Sequence, residues 1–230
     1  MNTEKLKNYR LLFRTAFAAV IIMLIIIPIQ IVVFSLTKIP GTVPEWFTLF
    51  HTNPVIGFFH SDFFILINNI LIAVIYLALY HTLKDTRKGL LQTGIMLGLV
   101  GIAAYISSNK TFELLSLSNQ YFSAPDEQTK SMLEAAGKAS LVSWQGTAFN
   151  TYYVLNGITL LIISILMFKS SLYNKATATW GLLSGIFMMV PSTAGIIGLV
   201  CSLLSLIPWY IFSIRYAVIF RKLAEKKQTV

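Results

Sequence analysis

The residue whose chemistry most demands a partner is Asp62. It precedes a long uncharged run, and Asn69 and Tyr76 follow at seven-residue steps, so the three fall near one face of a helix. A carboxylate in or near hydrocarbon costs on the order of 3 kcal/mol unless it faces a protein interior or water. Asp62 is therefore expected either to bond a neighbouring backbone, with Asn68 and Asn69 as interhelical glue, or to bind a ligand. Glu113 falls at a similar depth to Asp62, His60 and Lys110, and two carboxylates at one level could act as an acid/base pair. A metal site is not expected, because His60-x-Asp62 is no recognised ligand spacing. The three histidines, His51, His60 and His81, are divided between both ends of the spans and cannot supply paired haem ligands. Gln120, Gln145, Thr147, Asn150 and Asn156 add amide and hydroxyl groups on the same side, fit for helix packing or for a cavity wall.

The elements that must position these groups follow from composition. Of 230 residues, 56% are apolar and 12% charged, against roughly 45–50% and 25% in an ordinary soluble domain. That excludes a soluble globule. The net charge of +9 is scattered between apolar runs rather than gathered into a solvated patch, so no nucleic-acid partner is expected. Uncharged runs cover residues 15–37, 63–83, 89–109, 139–168 and 176–214, and a span needs about 20 residues. The last run is long enough for two, with Pro191-Ser192-Thr193 as the turn. The reading is one integral membrane domain over 1–230, an all-α polytopic bundle of six spans near 13–36, 57–83, 89–109, 144–168, 176–191 and 195–220. An outer loop with helices fills 110–143.

Basic residues orient this bundle. Six spans with the N-terminus inside place fourteen of the 18 Lys and Arg on the inner side, Lys226 and Lys227 included, as the positive-inside rule requires. Only Lys38, Lys110, Lys130 and Lys138 fall outside. Both termini are thus expected in the cytoplasm. The first apolar run is too long for a secretory signal and no A-x-A site follows it, so it is read as a retained helix.

The outer segments carry their own patterns. Glu45 to His51 is expected to form a short interfacial helix with Trp46, Phe47 and Phe50 at headgroup level. Phe112, Leu115 and Phe122 predict a helix lying on the membrane surface. Ser123-x-x-Asp126 with Pro125 marks a further helix start, whose helix is expected to run into the fourth span. Gly94-x3-Gly98 and Gly181-x3-Gly185 are packing faces. Cys201 is expected as a small buried hydrophobe, and Arg215 to snorkel to the headgroups. Ser184-Gly185 lacks the glycine two residues before the serine and the later histidine of rhomboid proteases, so that chemistry is excluded.

The stretch Phe112-Glu113-Leu114-Leu115-Ser116-Leu117-Ser118-Asn119-Gln120-Tyr121, the segment from Trp144 to Asn156, Pro191-Ser192-Thr193-Ala194-Gly195 and Pro208-Trp209 resemble a bacterial family of small polytopic membrane proteins known as a domain of unknown function. The resemblance runs from about Pro44 to Phe220. It implies six spans and brings no activity. The leading expectation is a protein that binds, senses, sequesters or moves a lipid or small amphiphile in an outward-facing cavity, with Asp62, Asn69, Glu113, Gln120, Gln145 and Asn150 as the polar groups that orient it. No cofactor is expected. The alternatives are a structural or regulatory subunit docking a membrane protein partner, and an intramembrane lipid-modifying enzyme using Asp62 and Glu113.

Overall fold

The computed structural model describes the backbone of residues 3–225 and side chains from Tyr9 onward; Lys226, Lys227 and the side chains of Lys5 and Lys7, counted above, lie outside the described residues. Within that range the chain is all helical: α1 (Thr3–Leu36), α2 (Val43–Thr52), α3 (Pro54–His60), α4 (Phe63–Leu83), α5 (Lys88–Ser108), α6 (Thr111–Phe122), α7 (Glu127–Trp144), α8 (Thr147–Met167), α9 (Lys175–Met188) and α10 (Gly195–Glu225).

Six of these helices close a ring. α1 packs on α4, α4 on α5, α5 on α8, α8 on α9, α9 on α10, and α10 returns to α1. Neighbours run antiparallel: Gln30 meets Asp62 and Tyr9 meets His81, Gly94 faces Ile162 while Gly101 faces Asn156, and Thr177 meets Arg215 while Ser184 meets Ser205. The first helix therefore begins where the last one ends, and Arg10 Nε donates to Ala224 O at 2.7 Å. We call this the tail end and the opposite one the cap end.

Five helical stretches are long and apolar enough to cross a membrane, namely Tyr9–Leu36, Phe63–Leu83, Lys88–Phe122, Glu127–Met167 and Gly195–Glu225. The sixth place in the ring belongs to α9, whose 14 residues rise about 21 Å at about 1.5 Å each, short of about 30 Å of hydrocarbon. The six full-length spans expected from the sequence thus become five and a short ring helix. The expected span 176–191 stops early because the chain turns at Pro191, where Ala194 N donates back to Pro191 O at 3.0 Å and Gly195 adopts φ 64°.

The tail half of the ring is filled by aromatics. Phe212, Tyr216, Phe220 and Phe13 are fully buried and stack in sequence at centroid separations of 4.9, 5.4 and 6.1 Å. Between α5 and α8 the glycines act as a packing face: a Cβ on Gly94 would stand 2.8 Å from Ile162 Cγ2, and Thr159 Oγ1 donates to Gly94 O at 2.8 Å. Arg215 does not snorkel freely. Its Nε donates to Thr177 Oγ1 and its Nη2 to Asn174 Oδ1, tying α10 to the N-cap of α9. Cys201 is half-buried rather than buried.

The short helices gather at the cap end. Thr42 and Glu45 form a capping box on α2, which follows from their three-residue spacing. Trp46, Phe47 and Phe50 are buried, not laid at headgroup level: Trp46 packs edge-on to Trp144 at 5.9 Å, and Phe47 O accepts from Ser118 Oγ at 2.6 Å. On α6 the buried stripe is Thr111, Leu114 and Ser118, while Phe112 and Phe122 are exposed. The inward hydroxyls bond carbonyls of other elements, Thr111 to Ser61 O and Ser118 to Phe47 O, and leave the face of Phe112 and Phe122 outward. Asp126 caps α7, accepting from Thr129 N at 2.7 Å, so the start is three residues later than Ser123 implied. α7 also does not run into the fourth span, for Gln145 and Gly146 break the helix before α8.

Candidate ligand cavity

The cap half of the ring encloses a cavity of about 280 Å³ lined by side chains of α1, α4, α5, α8, α9 and α10. Among the described residues, none that lines it belongs to α2, α3, α6 or α7. Its floor is a polar latch. Tyr76 of α4 reaches across α5, where Gly98 leaves room for its ring, and donates its hydroxyl to Asn156 Oδ1 of α8 at 2.7 Å. Asn156 Nδ2 in turn donates to Tyr152 O and Gly98 O. Below the latch lie the stacked aromatics, so the cavity has one closed end.

Asp62 stands at the other end, and the local sequence explains how. The span expected over 57–83 is broken, since α3 ends at His60 and α4 starts at Phe63. Asp62 is the one non-glycine described residue with positive φ, at 59°, in the left-handed region that Asp and Asn enter more readily than most. Two breaks clamp each other there: Asn109 Nδ2 and Thr111 Oγ1, at the α5–α6 joint, both donate to Ser61 O, at 2.9 and 3.1 Å. His60 is held by stacking on Phe34 at 5.1 Å, with its Nε2 2.9 Å from Thr37 Oγ1. Asp62 makes no capping bond to α4. Its carboxylate turns into the cavity and accepts from Gln30 Nε2 of α1 at 3.0 Å.

Three further polar atoms here lack any partner. Gln30 Oε1, Asn68 Oδ1 and Tyr105 Oη are buried and unbonded, and all three residues line the cavity. The remaining wall is mostly apolar or aromatic, including Phe34, Phe149 and Trp209, with the hydroxyls of Ser184, Ser202 and Ser205 on the α9 and α10 side. On one side it is incomplete: Ile31 of α1 and Leu203 of α10 line the cavity yet are 48% and 57% exposed. Just below this gap, Pro28 has no N–H to give the carbonyl four residues back. That carbonyl, Leu24 O, accepts from Tyr210 Oη at 3.0 Å instead, joining α1 to α10. Above it α10 stands largely free, with Ile196, Ile197, Leu199 and Val200 all exposed.

Of the six residues expected from the sequence, Asp62 alone lines the cavity. Asn69 is fully buried and spends its amide on Ile65 O at 3.0 Å. Asn68 takes the expected place, because Asp62 lies outside the helix and the seven-residue projection from it slips. Glu113 is on α6 in an exposed ion pair with Lys110 at 3.3 Å, away from the cavity lining. Gln120 is exposed and bonds Ser116 within α6. Gln145 is exposed at the α7–α8 break, and Asn150 accepts from Thr193 Oγ1 at the α9–α10 turn. Gln30 and Tyr105 were missed, although each carried a signal: Gln30 is the one amide of the run 15–37, and Tyr105 the one aromatic of α5. Among the described residues no three His, Cys, Asp or Glu side chains gather as a metal site.

The family described as a domain of unknown function, DUF4386, matches residues 15–219, and the chain belongs to it. No curated protein and no solved structure matches the chain.

Proposed function

We propose that this DUF4386 protein takes one chain of a lipid or other small amphiphile into the ring cavity, with its polar end at Asp62. The observation that carries this reading is a half-buried carboxylate inside a largely apolar cavity whose lining residues Ile31 of α1 and Leu203 of α10 are exposed. A few fixed polar groups in an apolar pocket are what orient a ligand, and a lateral gap lets a chain arrive from the bilayer. The cap end faces away from the cytoplasm in this reading, and the protein resides in a bacterial inner membrane; the twelve basic residues toward the tail side among the described residues support the orientation. Single-cysteine labelling at Ser123 and Thr86 on a Cys201→Ala background checks it, with the first labelled from outside and the second not. The test of function is native mass spectrometry of protein extracted gently from its own membranes. A stoichiometric adduct that Asp62→Leu loses is expected; equal retention by that variant refutes the site. A partner-docking subunit is the second reading, favoured by the bare apolar faces of α10 from Ile196 to Leu204. Crosslinking in native membranes that recovers only the monomer removes it.

A further inference from the structure

Resting on that reading, the inventory of hydrogen-bonding atoms around Asp62 narrows the ligand. Gln30, Asn68 and Tyr105 are 4%, 5% and 2% exposed; each lines the same cavity as the Asp62 carboxylate and carries a buried oxygen with no hydrogen-bond partner. The Gln30 orientation is fixed by its Nε2 bond to Asp62, which leaves Oε1 as a pure acceptor. The cavity therefore offers the Asp62 carboxylate, with a Gln30 donor spent on it, and amide and hydroxyl groups that can both donate and accept, Asn68, Tyr105, Tyr152 and Ser184 among them. Among the described residues no Lys, Arg or His lines it, so nothing in the chain neutralises Asp62.

We infer that the ligand is a primary ammonium carried on an apolar chain. An –NH₃⁺ group has three donors and no acceptor, which suits the Asp62 carboxylate and the unbonded oxygens of its neighbours, and its charge compensates the half-buried carboxylate, which no cation of the lining pairs. A phosphate or carboxylate head would meet Asp62 with like charge and no cation. A quaternary ammonium would find aromatic walls but has no N–H for the unbonded oxygens. An alcohol brings one donor and no charge. The volume of about 280 Å³ is at the small end of ligand pockets, which run about 300–1,000 Å³. It accommodates the head and the first part of one chain, the remainder leaving past Ile31 and Leu203. A free long-chain amine and an aminophospholipid headgroup share this chemistry.

The test uses the full chain in phosphatidylcholine nanodiscs with dodecylamine, dodecanol and dodecyltrimethylammonium as probes, read by native mass spectrometry. Dodecylamine is expected to bind one to one and at least ten-fold tighter than the other two. Asp62→Asn and the volume-matched Asn68→Leu should each cut dodecylamine binding at least ten-fold while helicity and the detergent-unfolding midpoint are retained, which separates a lost head site from a misfolded variant; undiminished dodecylamine binding in both folded variants overturns the assignment. Equal binding of the three probes overturns the ammonium assignment and leaves the amphiphile cavity standing; binding of none overturns both. Replacing half the lipid with phosphatidylethanolamine distinguishes the sources: weakened dodecylamine binding assigns the site to the lipid headgroup, and unchanged binding to a free amine.

Discussion

The Tyr76–Asn156 latch is the contact on which the cavity floor depends, and its energetics can be worked from its geometry. Asn156→Leu keeps the volume but leaves the Tyr76 hydroxyl, on a residue 2% exposed, without its 2.7 Å acceptor. An orphaned buried hydroxyl costs about 1–3 kcal/mol. Loss of the amide's bonds to Gly98 O and Tyr152 O adds about 0.6 kcal/mol each, the mean for side-chain bonds between membrane helices. The single variant should lose about 2–4 kcal/mol. Tyr76→Phe should lose less, since it orphans only Asn156 Oδ1. The double variant removes both members, so its loss should fall short of the sum of the single losses by about 1 kcal/mol or more. Equilibrium unfolding in mixed micelles, followed by helicity as a denaturing detergent is titrated in, measures all three. Additivity within about 0.3 kcal/mol refutes the latch as a coupled pair.

Gly98→Ala attacks the same floor from the third helix: its Cβ would stand 2.5 Å from the Tyr76 ring and 2.9 Å from Thr159. It is expected to destabilise by about 1–3 kcal/mol as an overpacking change in the same titration, and to weaken ligand retention with it. At the cap, Glu45 is held below its ordinary value of 4.5, chiefly by the Gly41 backbone N–H, which donates to Oε2 at 2.6 Å, and then by Lys38. A carboxylate lowered in the folded state stabilises above its unfolded value and loses that contribution as pH falls through the folded one. The start of α2 should therefore loosen only below pH 4.5, seen as faster amide exchange at Gly41 and Thr42. Glu45→Gln should remove that acid dependence, and an unchanged profile refutes the assignment.

The helices were legible in the sequence because charge is so scarce that its positions bound them. The uncharged runs at 89–109 and 139–168 end within two residues of the ends of α5 and α8, at Ser108 and Met167. What the runs do not show is backbone direction. Nothing in Phe58 to Phe64 signals that Asp62 is left-handed, and that one conformation moved the face of α4 from Asn69 to Asn68. On α6 the pattern showed the exposed apolar residues but not the inward ones, since Thr111 and Ser118 are polar and bond Ser61 O and Phe47 O. The cavity itself was out of reach because its polar atoms come from three helices 30 to 75 residues apart in sequence. Their convergence is a property of ring order rather than of any local pattern.

Ring order also decides what kind of site this is. Six helices packed as neighbours about 9 Å apart enclose room for roughly one more helix along the axis, and side chains must fill it. In the tail half Phe13, Phe212, Tyr216 and Phe220 do so with complete burial. At mid-depth the latch draws α4 and α8 together across the small face of α5. Toward the cap no comparable plug follows among the described residues, and Ile196, Ile197, Leu199 and Val200 of α10 stand exposed. A conduction path needs polar or wet lining along its whole length, and here the polar groups stop at the latch, below which buried aromatics fill the axis. The arrangement is that of a single-ended pocket opening sideways, suited to holding one molecule; carrying it onward would require the aromatic stack or the latch to open.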